Sequence, residues 1–302
     1  MIVDCHTQIW AAGQQTDEES AEFLARQSRP GRALSALPAD HLQSAKCVDY
    51  ALVMGLCGAG DIAASNQYIA EHVAKNPTTM IGVAVVNPLA DDALASAEAA
   101  LAQAEFKALA VSPAIQGFHP AHSKAMRVYD LAQQRRAPLL LAQGTPFPRQ
   151  ARMEFARPSL LDEIALAFPG LTMVLSSLGH PYVEEAVALI GKHPRVYADL
   201  AGLTDRAWQM YNALMLAHHF NVMDKVLFGS GFPFCTAAQA IESLYRLREL
   251  TQGTNLPSIP REVLRSVIER NSLAALGIAA PAASSGPDLQ RPAQAYTLRS
   301  GQ

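Results

Sequence analysis

Short apolar runs rich in Val, Ile and Leu recur along the chain, and each is followed by a longer stretch whose apolar residues fall three or four positions apart. Runs of the first kind read as buried strands, and stretches of the second as amphipathic helices. The strands expected are Met1–Asp4, Asp49–Met54, Met80–Val86, Lys107–Val111, Leu139–Ala142, Thr172–Ser176, Val196–Asp199 and Val226–Phe228. Helices are expected around Ala63–Lys75, Asp91–Ala104, Ser123–Arg135, Ser159–Phe168, Val183–Lys192, Asp205–Phe220 and Ala237–Leu250, then Arg261–Leu276. Asp91, Asp92, Ser159 and Thr236 stand where a helix N-terminus wants a side-chain acceptor.

Continuous apolar strands suit a parallel sheet covered on both faces. Eight of them alternating with helices fit a TIM (β/α)8 barrel better than an open doubly wound sheet, which counting alone leaves open. Residues 11–45 hold no strand, and their helical patches near Glu18–Gln27 and Ala39–Cys47 suggest an elaborated first βα connection capping the barrel mouth. From Ala279 to Gln302 the chain turns rich in Ala, Pro, Ser and Gly, which predicts one barrel over residues 1–278 and a disordered or draped tail over 279–302.

Composition then narrows the function classes. The 302 residues carry 24 Lys and Arg against 27 Asp and Glu, a formal charge of −3, so no electrostatic footprint for nucleic acid emerges. No apolar run reaches the roughly 18 residues that a membrane span requires, and Met1-Ile2-Val3-Asp4 has no leader pattern, so no membrane partner and a cytoplasmic location are expected. Cys5, Cys47, Cys57 and Cys235 are scattered without CxxC spacing and read as reduced thiols.

In a barrel the functional groups stand at the C-terminal ends of the strands. Those ends read Asp4-Cys5-His6-Thr7-Gln8, Val111-Ser112-Pro113, Ala142-Gln143-Gly144-Thr145-Pro146, Ser176-Ser177-Leu178-Gly179-His180-Pro181, Asp199-Leu200-Ala201-Gly202 and Gly229-Ser230-Gly231-Phe232-Pro233-Phe234. They are polar and small, with few carboxylates and two histidines.

With these segments in this order, the sequence resembles the amidohydrolase superfamily, in its amidohydrolase-related branch of decarboxylases, lactonases and other hydrolases of small carboxylated compounds. The resemblance spans most of residues 1–278. It rests on Val3-Asp4-Cys5-His6, Gly144-Thr145-Pro146-Phe147-Pro148, Leu178-Gly179 with Pro181 and Glu184-Glu185, Lys192 through Gly202, Leu227 through Phe234, and Arg270-Asn271-Ser272. The resemblance implies a metal held by an HxH pair after strand one, histidines after strands five and six, and an Asp after strand eight. Here those positions read His6-Thr7-Gln8, Ala142, Ser177 and Gly231, so only His6 remains. One imidazole cannot hold a divalent ion that wants three or four protein donors, and no cofactor is expected. Gly231 also cannot shuttle a proton as an Asp would.

Three function classes follow. The first is a metal-independent hydrolase or decarboxylase with His6 and His180 as acid–base groups, Ser177 or Cys5 as nucleophile, and Asp199 as an orienting carboxylate. Gln8, Gln143, Arg152 and Ser230 would bind a small carboxylated or carbonyl ligand, with Arg149 and Arg152 clamping a carboxylate. The second is a non-catalytic barrel that binds a ligand or a partner. The third is a metal hydrolase with relocated ligands, for which His119, His122 or His180 would have to reach His6. His218-His219 falls late in a helix outside the barrel, and His193 precedes a strand at the opposite face. Each residue also has a plainer reading: His6 as a hydrogen-bonded relic, His180 as a loop residue, Asp199 as a strand-end cap, Cys5 and Cys235 as small buried hydrophobes, and the arginines as solvated loop residues. Barrels of this branch often pair, so a homodimer is an open expectation.

Overall fold

The computed structural model describes residues 1–11, 36–58, 60–142 and 147–281. Eight strands form a single parallel sheet in the order of the chain: β1 (Val3–Gln8), β2 (Tyr50–Met54), β3 (Met80–Val85), β4 (Phe106–Val111), β5 (Leu139–Leu141), β6 (Met173–Leu175), β7 (Val196–Asp199) and β8 (Val226–Leu227). The sheet closes on itself, because Cys5 N–H donates to Phe228 O at 2.9 Å, Gln8 N–H donates to Phe232 O at 2.9 Å, and Thr7 bridges Phe232 in parallel. This is the TIM barrel that the alternation of runs predicts.

The helices are α1 (Pro38–Ser44), α2 (Ile62–Lys75), α3 (Ala93–Ala102), α4 (Pro113–Gln116), α5 (Ser123–Gln134), α6 (Asp162–Ala167), α7 (Val183–Lys192), α8 (Ala207–His219), α9 (Ala237–Arg246), α10 (Arg261–Ile268) and α11 (Ser272–Leu276). They cover the outward strand faces in one core that includes Val53, Leu109, Leu139, Leu141 and Phe228. The inward faces carry Leu52, Met54, Val83, Ala108, Ala110, Leu140 and Val174, and Leu273, Leu276 and Ile278 join this inner cluster from α11 and just beyond it.

Local chemistry explains several element ends. Asp61 caps α2 by accepting from Ala63 and Ala64 N–H, and Thr236 with Gln239 forms a reciprocal capping box on α9. The expected caps at Ser159 and Asp92 are otherwise engaged. Ser159 donates its N–H and hydroxyl to Glu185, and the Asp92 carboxylate takes the Ser96 hydroxyl. The single helix expected over Arg261–Leu276 is broken at Glu269–Asn271, where the Asn271 side chain accepts from Ala274 N–H and starts α11. The helix expected from Ser159 opens as a 3-10 turn, Pro158–Leu161, before α6. The patch expected near Glu18–Gln27, and the tail from Ala282 onward, lie outside the described residues.

β1 departs most from expectation. It runs over Val3–Gln8 rather than Met1–Asp4, so His6 and Gln8 belong to the strand. The polar letters that hide it are satisfied within the barrel wall. Thr7 Oγ1 donates to Leu52 O at 2.7 Å, and Asp4 Oδ1 accepts from Ser230 N–H at 2.8 Å.

Candidate active site

The site begins with a slip in register on β1. Asp4 lies opposite Ala51 and Thr7 opposite Val53, so Cys5 and His6 together face the one residue Leu52. Ala51 and Val53 belong to the outer core, whereas Leu52 and Met54 face the lumen. The extra residue therefore turns His6 toward the lumen and leaves Gln8 opposite Met54, as bulges beside active sites commonly re-aim a side chain.

There His6 meets Asp199, the last residue of β7. Asp199 Oδ2 lies 3.1 Å from His6 Nδ1 and accepts the Ser176 hydroxyl at 3.2 Å. Its Oδ1 accepts backbone N–H groups from Ser177 at 3.2 Å and Ala201 at 2.9 Å. Four donors thus surround one fully buried carboxylate. An acceptor-only partner places the proton on Nδ1, leaving Nε2 as the imidazole atom that can gain or lose one. Burial acts to lower the His6 pKa, but the charge and hydrogen bond of Asp199, joined by the charge of Asp4, carry it above the ordinary histidine value. Asp4 is itself raised to about 6 by burial, against the hydrogen bonds from Ser230 and His6.

Ser176, one of the polar groups expected at the end of strand six, has its hydroxyl 3.0 Å from His6 Nδ1. It shares that nitrogen with Asp199, so it is a positioning group and not a nucleophile activated by the ring. Ser177 is also unsuited to attack. It sits at φ 58° at the start of a left-handed run with Leu178 (46°) and Gly179 (69°), and its Oγ donates to Ala201 O at 2.6 Å. That run brings the Ser177 N–H to Asp199. Cys5 is fully buried, and burial pushes its thiol pKa far up, which removes it as a thiolate nucleophile.

The other expected residues fall around this centre. His180 is half-buried after the turn, its pKa lowered by burial and by the Arg206 charge. Ser230 supports the strand-eight loop: its N–H donates to Asp4, its Oγ accepts from Phe232 N–H at 3.1 Å, and its carbonyl accepts from Thr204 Oγ1. Arg149 and Arg152 are exposed, and the Arg152 guanidinium lies 5.6 Å from the Phe155 ring centre. Gln143 lies outside the described residues.

Among the described residues, the side chains at the positions where the resemblance implies metal ligands are not a donor set for a divalent ion. Gln8, Ala142, Ser177 and Gly231 occupy the positions expected to hold it, and the Ser177 hydroxyl is committed to Ala201. At Gly231, φ is +72° and an added Cβ would fall 2.9 Å from Gly202 N, so the Asp199–Gly202 turn fills the space a strand-eight carboxylate would enter. Relocated ligands are not gathered either. His119 and His122 are exposed and accept the N–H groups of Ala121 and Lys124, and His219 ends α8 exposed. Among the described residues, no three His, Cys, Asp or Glu side chains converge to hold a metal.

A sequence profile of the amidohydrolase family matches residues 3–278. The chain belongs to that family. No curated protein matches it. Among solved structures, an amidohydrolase from Burkholderia multivorans with bound zinc is 11% identical at TM-score 0.67, covering 92% of this chain and 100% of its own. The 5-carboxyvanillate decarboxylase of Sphingomonas paucimobilis is 15% identical at TM-score 0.63, covering 92% of this chain and 99% of its own. A probable 2-pyrone-4,6-dicarboxylic acid hydrolase from Acinetobacter baumannii, with citric acid bound, is 11% identical at TM-score 0.62, again covering 92% and 99%. At such identity these likenesses establish the barrel and not a shared reaction.

Proposed function

We propose that the chain is an enzyme that acts on a small carboxylated compound by proton transfer through His6, without a divalent metal. The observation that carries this reading is the Asp199 carboxylate, held by four donors, with His6 Nδ1 among them. Such an arrangement fixes one tautomer and one ring orientation, the support an acid–base histidine needs. The ligand class comes from the relatives, one a decarboxylase of a carboxylated aromatic and one a hydrolase of a dicarboxylic acid with citric acid bound.

His6 serves either reaction of this lineage. Protonated Nε2 can give its proton to a ring carbon as CO2 departs, so that R–CO2⁻ and H⁺ become R–H and CO2. Neutral Nε2 can take a proton from water that attacks a lactone or ester carbonyl. Ser176 and Asp199 keep Nδ1 engaged through both.

The test is turnover of a panel of aromatic carboxylates and lactones by chelator-treated protein, with product and CO2 both measured. Turnover is expected without added metal, and His6→Asn should lower it by about 10²- to 10⁴-fold. Activity that appears only when zinc or manganese is restored would contradict the proposal.

A further inference from the structure

The helices around the barrel do not all meet. α3 packs on α5, α7 on α8 and α9 on α10, but α2 and α3 stand apart and leave an open groove of about 650 Å³ between them. Ala63 and Ala70 from α2 and Ala93 and Ala99 from α3 form its sides, with Val85 and Phe106 beneath. These short side chains leave the space unfilled, and Asn66 at the floor is tied down by two hydrogen bonds of 2.9 Å to Val85 N–H and O. Asp61 and Asp92 stand exposed at the upper end, where both helices begin, and among the described residues no Lys, Arg or His lines the groove. The lower end lies at Gln103 and Phe106, beside the start of β4 and so at the base of the barrel. An apolar trough of this size, edged by carboxylates, is a surface suited to binding.

The chain itself supplies an occupant. Arg270 Nη2 donates to Met223 O in the turn before β8, and α11 then brings Leu273, Leu276 and Ile278 into the lumen cluster with Ile81 of β3, so the chain leaves the barrel at its base. Residues 282–302 follow, with Arg291 and Arg299 against Asp288 as their only charged side chains, a positive excess opposite the groove's carboxylates. Leu289, Tyr296 and Leu298 supply apolar groups, and Pro287 and Pro292 favour extended chain over helix. At roughly 3.3 Å per extended residue, Pro292–Arg299 spans about 26 Å, enough to run the length of α2, about 21 Å.

We infer that the groove between α2 and α3 is the docking surface of the chain's own residues 289–299, which run upward from the base with Tyr296 and Leu298 against the alanines and Arg299 beside Asp61 and Asp92. Each of those carboxylates carries a full charge against the roughly half charge of the helix end on which it stands, so the upper end attracts a guanidinium. The alanines make room for the two larger side chains, whose burial drives the docking.

The experiment is photo-crosslinking of the full chain carrying p-benzoylphenylalanine in place of Tyr296, with the links mapped by peptide mass spectrometry. Mixing ¹⁵N-labelled with unlabelled protein before irradiation separates links within a chain from links between chains. Links within one chain, to α2 and α3 residues of the groove, are expected. Ala99→Trp fills the groove from an exposed position, so it should abolish the links while circular dichroism shows the barrel intact. Asp92→Arg or Arg299→Asp alone should lower the yield about threefold, and the two together should restore it to within about twofold. Links that fall elsewhere on the chain, or none at all, overturn the proposal, as does a yield that Ala99→Trp leaves unchanged. Links between chains overturn it in favour of a contact between two copies. Links that persist in the groove without responding to the charge exchange overturn the placement of Arg299.

Discussion

Asp199 Oδ2 stands 3.1 Å from Nδ1 of His6, although the two residues are separated by 193 positions in the chain. Because the carboxylate is fully buried and meets three further donors, its removal strands several polar groups together. Asp199→Ala should cost about 3 kcal/mol of stability, read from urea unfolding, the scale expected when one member of a buried hydrogen-bonded pair is deleted. Asp199→Asn should cost less but still misorient His6, because its amide N–H₂ cannot accept.

Ser176 and Ser177 should separate cleanly in mutagenesis. Ser176→Ala frees one side of His6 Nδ1 and should lower kcat with little effect on unfolding. Ser177→Ala deletes a 2.6 Å hydrogen bond to Ala201 O and should cost about 1 kcal/mol of stability with a smaller change in kcat. The reverse pattern would place the working hydroxyl on Ser177.

Much of this molecule could be read from its letters, and the limits are physical. Strands buried on both faces advertise themselves as apolar runs, which is why the order β1 to β8 was legible. The extent of β1 was not, because Asp4 and Thr7 are polar residues whose partners, Ser230 N–H and Leu52 O, come from distant strands. His6 was legible as a candidate, but its aim depends on an extra residue between Asp4 and Thr7 that no periodicity reveals. Of the adjacent serines, the family pattern pointed to Ser177. The spatial setting of β6 and β7 decides that Ser176 reaches the imidazole, and that is a property of the closed barrel.

Gly231→Asp, which restores the family's strand-eight carboxylate, should not create a metal site. The new Cβ would meet Gly202 N at 2.9 Å on a left-handed backbone, so the variant should lose about 1–3 kcal/mol of stability. A variant that keeps its Tm and binds zinc stoichiometrically would show that the Ala201–Gly202 turn yields.

Acid should weaken the fold through a buried pair of histidines, His41 and His72. His41 Nδ1 is 2.9 Å from His72 Nε2, and His41 packs on the Phe232 ring. Burial, then the nearness of His72, holds His41 down to about 3, and burial with the Lys75 charge holds His72 near 4. Above the ordinary histidine value of 6.5 both states are neutral. Below it the unfolded chain takes protons that the folded chain refuses, so stability is lost as pH falls from 6.5 toward 4. The loss should approach, at most, about 1.4 kcal/mol per pH unit for each group. His41→Met should flatten the urea-midpoint profile between pH 6.5 and 5.

The central claim is that His6 works as a proton carrier held by Asp199 and not as a metal ligand, and long-range ¹H–¹⁵N correlation of the His6 ring tests it most directly. The account predicts a proton resident on Nδ1, with Nε2 titrating above the ordinary histidine range and no change in either nitrogen when equimolar zinc is added. A resident proton on Nε2 instead, or a stoichiometric shift of the ring nitrogens on zinc addition, would contradict it.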